Sequence, residues 1–348
     1  MKKTLLATAV AASMAATGAQ AATVYDQDGS KLDVNGRIAM GIRGGGPEYN
    51  SAGQKIDNGA EFVDVYSRLG LSMSQQITND LSAFGRVEWR FTGDERNTAS
   101  GFNEVRHSYI GLKSAQYGTF QAGNYDSFYN TFVAAPFDVY IDRGLELSAG
   151  NGGDLQARGD SIGYYTPSLE GFTVFLSAKH LSDRGNVVGV RDEGSVIAAQ
   201  GGVQYEQGPV TLGLGFVEDT IRDGGNGELL GGLVGSYAIN DQASVRLAYE
   251  GREHSDTLGG GYDTVGLGGS YSTGPWGFAA DIYDINPDGA GAEDRLSWAL
   301  GSYYTVSSNF NVFLELQQDD QPDVTIGSGG IEADGDDVYW LTGARYFF

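Results

Sequence analysis

The chain has 348 residues, among them 54 Gly, 20 Tyr, 7 Pro and no Cys, with a formal net charge of −23. That balance speaks against nucleic-acid binding, which needs a basic footprint, and against attachment to an anionic bilayer surface. The absence of Cys removes disulfides, thiolate metal sites and a lipid anchor, and so much Gly and Tyr with so little Pro is not a disordered acidic tail.

Lys2 and Lys3 precede an apolar stretch from Leu5 to Ala16, which closes on Ala19-Gln20-Ala21. This is the form of an export signal over 1–21; about twelve weakly apolar residues are too few for the roughly 20 of a membrane helix. The mature domain is then 22–348, with a net charge of about −25 once Lys2 and Lys3 are lost. No later apolar run reaches the length of a helical span.

Segments of period-two patterning then recur, and the pattern predicts sixteen strands: 31–42, 61–77, 80–92, 102–114, 118–124, 157–167, 171–181, 195–207, 209–218, 228–239, 243–252, 262–273, 276–285, 294–306, 310–318 and 337–348. Seven connections are brief turns rich in Asn, Asp, Gly, Pro and Ser, such as Thr78-Asn79 and Gly274-Pro275. The other eight are longer: 43–60, 93–101, 125–156, 182–194, 219–227, 253–261, 286–293 and 319–336. Short turns alternating with long loops are the sequence form of an outer-membrane barrel. A propeller or solenoid would show a fixed repeat, and none is present.

The faces read as follows. Val63, Val65, Leu69, Leu71 and Met73 oppose Asp64, Tyr66, Arg68, Gly70 and Ser72; Val87, Trp89 and Phe91 oppose Arg86, Glu88 and Arg90. Trp276, Phe278, Ala280 and Ile282 oppose Asp281 and Tyr283. Parity also places Tyr66, Phe84, Tyr164 and Tyr283 on the water-filled side, and His107 and Tyr109 outward, with small outward residues at Gly36, Ser67, Gly85 and Gly111. A sandwich would show the same alternation. Strands longer than the soluble mode of about 5–6 residues, an export signal and a strand number that closes around an aqueous channel decide for an all-β, sixteen-stranded antiparallel transmembrane barrel. The last strand ends Tyr346-Phe347-Phe348, which implies a terminus tied into the sheet.

The third long connection, 125–156, holds Phe128, Tyr129, Phe132, Val133, Phe137, Val139, Tyr140, Ile141 and Leu145. Those side chains are costly to leave in water, so the loop is expected to fold inward against the wall and narrow the pore. Its acids are Asp126, Asp138, Asp142, Glu146 and Asp154, against Arg143.

The start ATVYDQDGSKLDVNGR, VYSRLGLS at 65–72, VRHSYIGLKSAQYGTFQAGNYDSFYN at 105–130 and the terminal Tyr346-Phe347-Phe348 resemble the trimeric general porins of Gram-negative bacteria, across essentially the whole chain. The resemblance implies a homotrimer in the outer membrane, among lipid and lipopolysaccharide, passing ions and small hydrophilic solutes. It also implies an arginine ladder facing loop carboxylates. Matched by motif, the ladder falls on Arg68, Arg106 and Arg158, with Arg37 on the first strand; Arg86 joins them by strand and parity. The acids are Asp138 and Asp142. Where the family often has Pro-Glu-Phe-Gly-Gly-Asp, this chain has Ala135-Pro136-Phe137-Asp138, with Gly152-Gly153-Asp154 much later. Which acids line the narrowest point stays open at this level.

Charge physics points the same way. An Arg facing lipid costs roughly 2–4 kcal/mol at mid-membrane, so its place is the wet side, and a mouth inheriting most of the negative charge gathers cations. Weak cation preference is therefore expected. His107, His180 and His254 lack metal-ligand spacing, and no nucleophile context is present; no enzyme, cofactor, metal or nucleic-acid partner is expected. Alternatives are a solute-specific channel, for example for oligosaccharides, and a surface adhesin or receptor barrel.

Overall fold

The computed structural model describes residues 21–50, 52–95, 101–147, 155–156, 158–187, 194–289, 291–326, 331–333 and 335–348. The expected export signal, except Ala21, and Asp154 lie outside them. The strands are β1 (Ala22–Gln27), β2 (Ser30–Gly45), β3 (Glu61–Asp64), β4 (Arg68–Gln76), β5 (Leu81–Arg90), β6 (Glu104–Ser114) and β7 (Gly118–Asn124). They continue with β8 (Ser161–Tyr165), β9 (Phe172–Leu181), β10 (Val196–Gln207), β11 (Val210–Glu218), β12 (Leu229–Ala238) and β13 (Ala243–Arg252). The last are β14 (Tyr262–Thr273), β15 (Trp276–Pro287), β16 (Arg295–Ser307), β17 (Phe310–Gln318), the small hairpin β18 (Val324–Ile326) and β19 (Ile331–Ala333), and β20 (Tyr339–Phe347).

From β4 to β17 each strand pairs antiparallel with the next; β17 pairs with β20 and β20 with β2, which closes the sheet. β3 and β4 are two halves of one stave, both pairing with β2. Sixteen staves therefore form a closed barrel. β1, which the patterning did not predict, pairs with the first part of β2, from Ala22↔Val34 to Gln27↔Ser30. It takes over the edge of β2 where β20 runs out, and there Gly36 and Phe348 exchange N–H···O bonds of 2.9 and 3.1 Å.

The outer face is apolar and exposed. On β15, exposed Trp276, Phe278 and Ile282 alternate with buried Asp281, Tyr283 and Ile285. In a soluble protein such a surface is a liability; in lipid it is the stable one, because a closed ladder pairs the backbone polar groups of its strands.

Five local readings are corrected by the backbone. Val65–Ser67 interrupts the expected strand 61–77: Tyr66 sits at φ 60°, and the Ser67 N–H bonds the Asp64 carboxylate at 2.8 Å. The break shifts parity by one, so Phe62 is exposed while Val65 is buried with Ala39 and Val139. Ser67 is fully buried and donates to and accepts from the Ala39 backbone, so it is not an outward small residue. Gly111 lies under the Phe84 ring and pairs in register with Phe84, so it too faces inward. A bulge pairs Glu88 with His107 but Trp89 with Val105, which turns Arg106, His107 and Tyr109 inward. Tyr164, exposed beside Phe120 and Leu176, faces outward.

Candidate functional site

The inner face of β5 reads Phe84, Arg86, Glu88, Arg90, because alternate residues of a strand share a face. Pairing brings the corresponding residues of its neighbours alongside: Arg68 lies beside Arg90 and Arg37, and Glu88 beside His107. Glu88 is the centre of the group, with a side chain 1% exposed. Its carboxylate lies 2.6 Å from Arg86, 2.8 Å from Arg106, 3.5 Å from Arg68 and 3.7 Å from the His107 ring. Like-charged guanidinium groups this close repel; the shared carboxylate holds them at one height.

The start of the long loop completes the cluster. Asp126 accepts from Arg106 at 3.3 Å, lies 3.0 Å from His107 Nε2 and is 3.8 Å from Arg158. Burial works against its charge, but the His107 hydrogen bond and the Arg106 and Arg158 charges outweigh it and hold its pKa below the usual carboxylate range. Arg158, at φ 61°, also reaches Glu104 at 2.9 Å, and Arg90 meets the same Glu104 at 3.4 Å. Arg37 sits at the edge of the group and donates to the Tyr66 carbonyl at 3.0 Å.

The two loop aspartates singled out in the sequence part company. Asp138 ends a helical turn over Asn130–Ala134 and Ala135–Phe137, and its side chain is exposed. It is in electrostatic reach of Asp126, Arg106 and Arg68, with no ion pair to any of them. Water reaches the residue, yet the protein packed around its carboxyl group and the nearby Asp126 charge push its pKa up, against the pull of Arg106 and Arg68. Asp142 instead accepts hydrogen bonds from the hydroxyls of Tyr66 and Tyr339, the latter at 2.6 Å. Its carboxylate fastens the loop and makes no ion pair with the ladder among the described residues.

The loop is tied down at several points between Tyr125 and Gly144. Tyr125 bonds Ser177 at 2.9 Å, Ser127 and the Tyr129 backbone bond Gln200 at 2.7 and 2.9 Å, and Tyr129 donates to Glu250 at 2.8 Å. Further on, Ile141 N–H donates to Glu315 at 2.7 Å, and Tyr303 and Tyr283 donate to the Val139 and Gly144 carbonyls at 3.2 and 3.0 Å. Glycines make room for this contact: a Cβ at Gly232 would meet the Tyr129 hydroxyl at 1.9 Å, and one at Gly163 would meet Phe128 at 2.5 Å.

Sequence reasoning missed Glu88, Glu104 and Asp126 as partners of the ladder. For Glu88 a signal was present, since it stands between Arg86 and Arg90 on one strand face. Glu104 had one too, since it stands two residues before Arg106 and shares its parity.

A closed barrel with an apolar outside and an ionic inside is the architecture of a membrane channel. The family described as Gram-negative porin matches residues 7–323, and the chain belongs to it. It is 33% identical over 304 residues to a protein named monosaccharide porin from Halomonas sp, covering 81% of this chain and 78% of that one. Among solved structures it resembles the anion-selective porin from Comamonas acidovorans (TM-score 0.70, 20% identity, 92% of this chain and 100% of that one). It also resembles the trimer form of OmpT from Vibrio cholerae (TM-score 0.65, 17% identity, 92% and 100%). The protein is thus an outer-membrane porin of the Gram-negative type, a diffusion channel in a family of channels rather than enzymes.

Proposed function

We propose that this porin is a general diffusion pore for ions and small hydrophilic solutes, weakly cation-preferring and trimeric, with the 125–156 loop lying inside the barrel as its constriction. The observation that carries this reading is the gathering of Arg68, Arg86 and Arg106 about Glu88, opposite the exposed Asp138 of the loop. The loop's partners Ser177, Gln200, Glu250 and Glu315 are buried side chains of wall strands, which supports the inward course. Arg37 and Arg158 extend the basic side, and Asp142 holds the loop to Tyr66 and Tyr339 beside it.

Cation preference rests on the net charge of about −25 that remains once Lys2 and Lys3 are lost from the −23 of the full sequence. The ladder opposes it locally, so the preference is weak and fades as salt screens the field. A reversal potential across a salt gradient checks it, and clear anion preference at low salt would refute it. The raised pKa of Asp138 gives the sign of the pH effect. As pH falls Asp138 takes up its proton before Asp126, and the loss of that charge lowers the cation preference. Asp138→Asn should show the lower preference already at neutral pH and lack this contribution. Asp142→Asn should disturb the loop more than the selectivity, because its carboxylate is held by two tyrosines.

The trimer follows from the resemblance to trimeric porins, with the trimer form of OmpT as a structural parallel. Of the small outward residues only Gly36 and Gly85 remain on the outer parity, and Gly36 is covered by the Phe348 ring. Mass measurement in mild detergent is expected to give three chains per particle; a stable monomer would remove this part of the proposal. A second reading, a channel favouring monosaccharides, is supported by the name of the Halomonas relative.

A further inference from the structure

We propose that the inner wall beside the arginine cluster carries a binding subsite for a neutral hexopyranose, built on Phe84 and Tyr109 with Arg86 as its polar partner. The proposal rests on the monosaccharide reading above and gives it a location.

An unbroken series of aromatic rings runs over the inner face of β5 to β9. Phe84 meets Tyr109 at 6.2 Å with planes 81° apart, and Tyr109 meets Tyr125 at 5.8 Å. Beyond them Tyr125 meets Phe128 at 5.3 Å, and Phe128 meets Tyr165 at 5.6 Å. Most of this series is explained by the loop, since Tyr125 and Phe128 are buried in its packing and Tyr109 and Tyr165 lie against them. Phe84 is not. It belongs to a wall strand, stands outside that cluster, is half-buried, and lies over bare Gly111, where a Cβ would meet its ring at 2.3 Å.

A phenyl ring at the edge of a wet channel forgoes part of the free energy that burial supplies, about 25 cal/mol per Å². A pore that only passes ions gains nothing from it. With Tyr109 it makes a right-angled aromatic corner. Immediately along the same strand face comes Arg86, paired in register with Tyr109. One nitrogen of its guanidinium is held by Glu88 at 2.6 Å, and the side chain stays 33% exposed.

Apolar walls with a few convergent polar groups define a small-molecule site. The chemistry selects among solutes. The C–H face of a pyranose ring matches an aromatic face, and its equatorial hydroxyls match a guanidinium fork. An ion lacks the apolar face. An open-chain polyol has the hydroxyls but no rigid face, and loses conformational entropy on binding that a ring does not.

The test is single-channel current in KCl, titrated with glucose or with sorbitol, each current read relative to the same channel without solute. Glucose should lower the current saturably and more than sorbitol at equal concentration. Phe84→Leu, which keeps an apolar side chain but removes the ring, should raise the half-blocking glucose concentration at least fivefold, whereas Phe84→Tyr should keep it within twofold. Equal, non-saturating effects of glucose and sorbitol on the wild-type current would overturn the subsite while leaving the ion-conducting pore established. Saturable glucose block that survives Phe84→Leu would also overturn it. A channel that conducts no ions would sink the pore reading itself, and the subsite with it.

Discussion

Glu88→Gln should turn the channel toward anions. The substitution keeps an acceptor oxygen but removes the one charge that Arg86, Arg106 and Arg68 share at 2.6, 2.8 and 3.5 Å. An ion passing roughly 7 Å from the uncovered charge feels about 0.6 kcal/mol at the dielectric of water. That is nearly a factor of three, in opposite directions for the two signs of ion. The potassium-to-chloride permeability ratio should therefore fall by roughly three- to tenfold at low salt, and recover toward the wild-type value as salt shortens the screening length. Reversal potentials at two ionic strengths measure both. Removing one partner from a buried ionic group costs about 3–5 kcal/mol where no water relieves it, so a lower unfolding temperature is expected as well. An unchanged permeability ratio would mean that the ions do not pass this cluster.

Glu315→Leu should loosen the loop. The Glu315 carboxylate accepts the Ile141 and Asp142 backbone N–H groups at 2.7 and 3.3 Å and the Tyr303 hydroxyl at 2.6 Å. Leucine leaves the two backbone N–H groups without their acceptor, while the Tyr303 hydroxyl keeps the Val139 carbonyl at 3.2 Å. A buried unsatisfied donor costs about 1–3 kcal/mol, and moving the loop tip into water is the way to relieve that cost. Open-channel current noise should rise and mean conductance increase. The Asp142 clamp through Tyr66 and Tyr339 survives this change, so Glu315→Leu with Asp142→Ala should produce a larger effect than either alone. Quiet recordings of wild-type conductance from the double variant would show that the tip is not fixed by these contacts, or lies away from the ion path.

The fold was legible because a barrel strand is a local statement. Strands 118–124, 243–252, 262–273 and 310–318 were read with the boundaries that β7, β13, β14 and β17 show. Alternation of period two and turn residues are sufficient for this, and no distant contact is needed. Reading failed where the backbone leaves the regular period. One left-handed residue, Tyr66, and one bulge beside Arg106 each shift parity by a single position, and every side chain beyond them changes face. His107 and Val65 were misplaced for that reason.

The sequence by itself determined the class of fold, because lipid on one side and water on the other dictate which residue types each face accepts. Only the tertiary structure decided how the charges are matched. Glu88 is an ordinary alternating residue until β4, β5 and β6 lie side by side and bring three arginines to it. Asp138 and Asp142 are equivalent in the sequence. They differ in the structure because one is left exposed before the ladder and the other is taken by two tyrosines far apart in the chain. Pairing between distant strands sets these distances, and the strength of a charge depends on distance and on its surroundings more than on its identity.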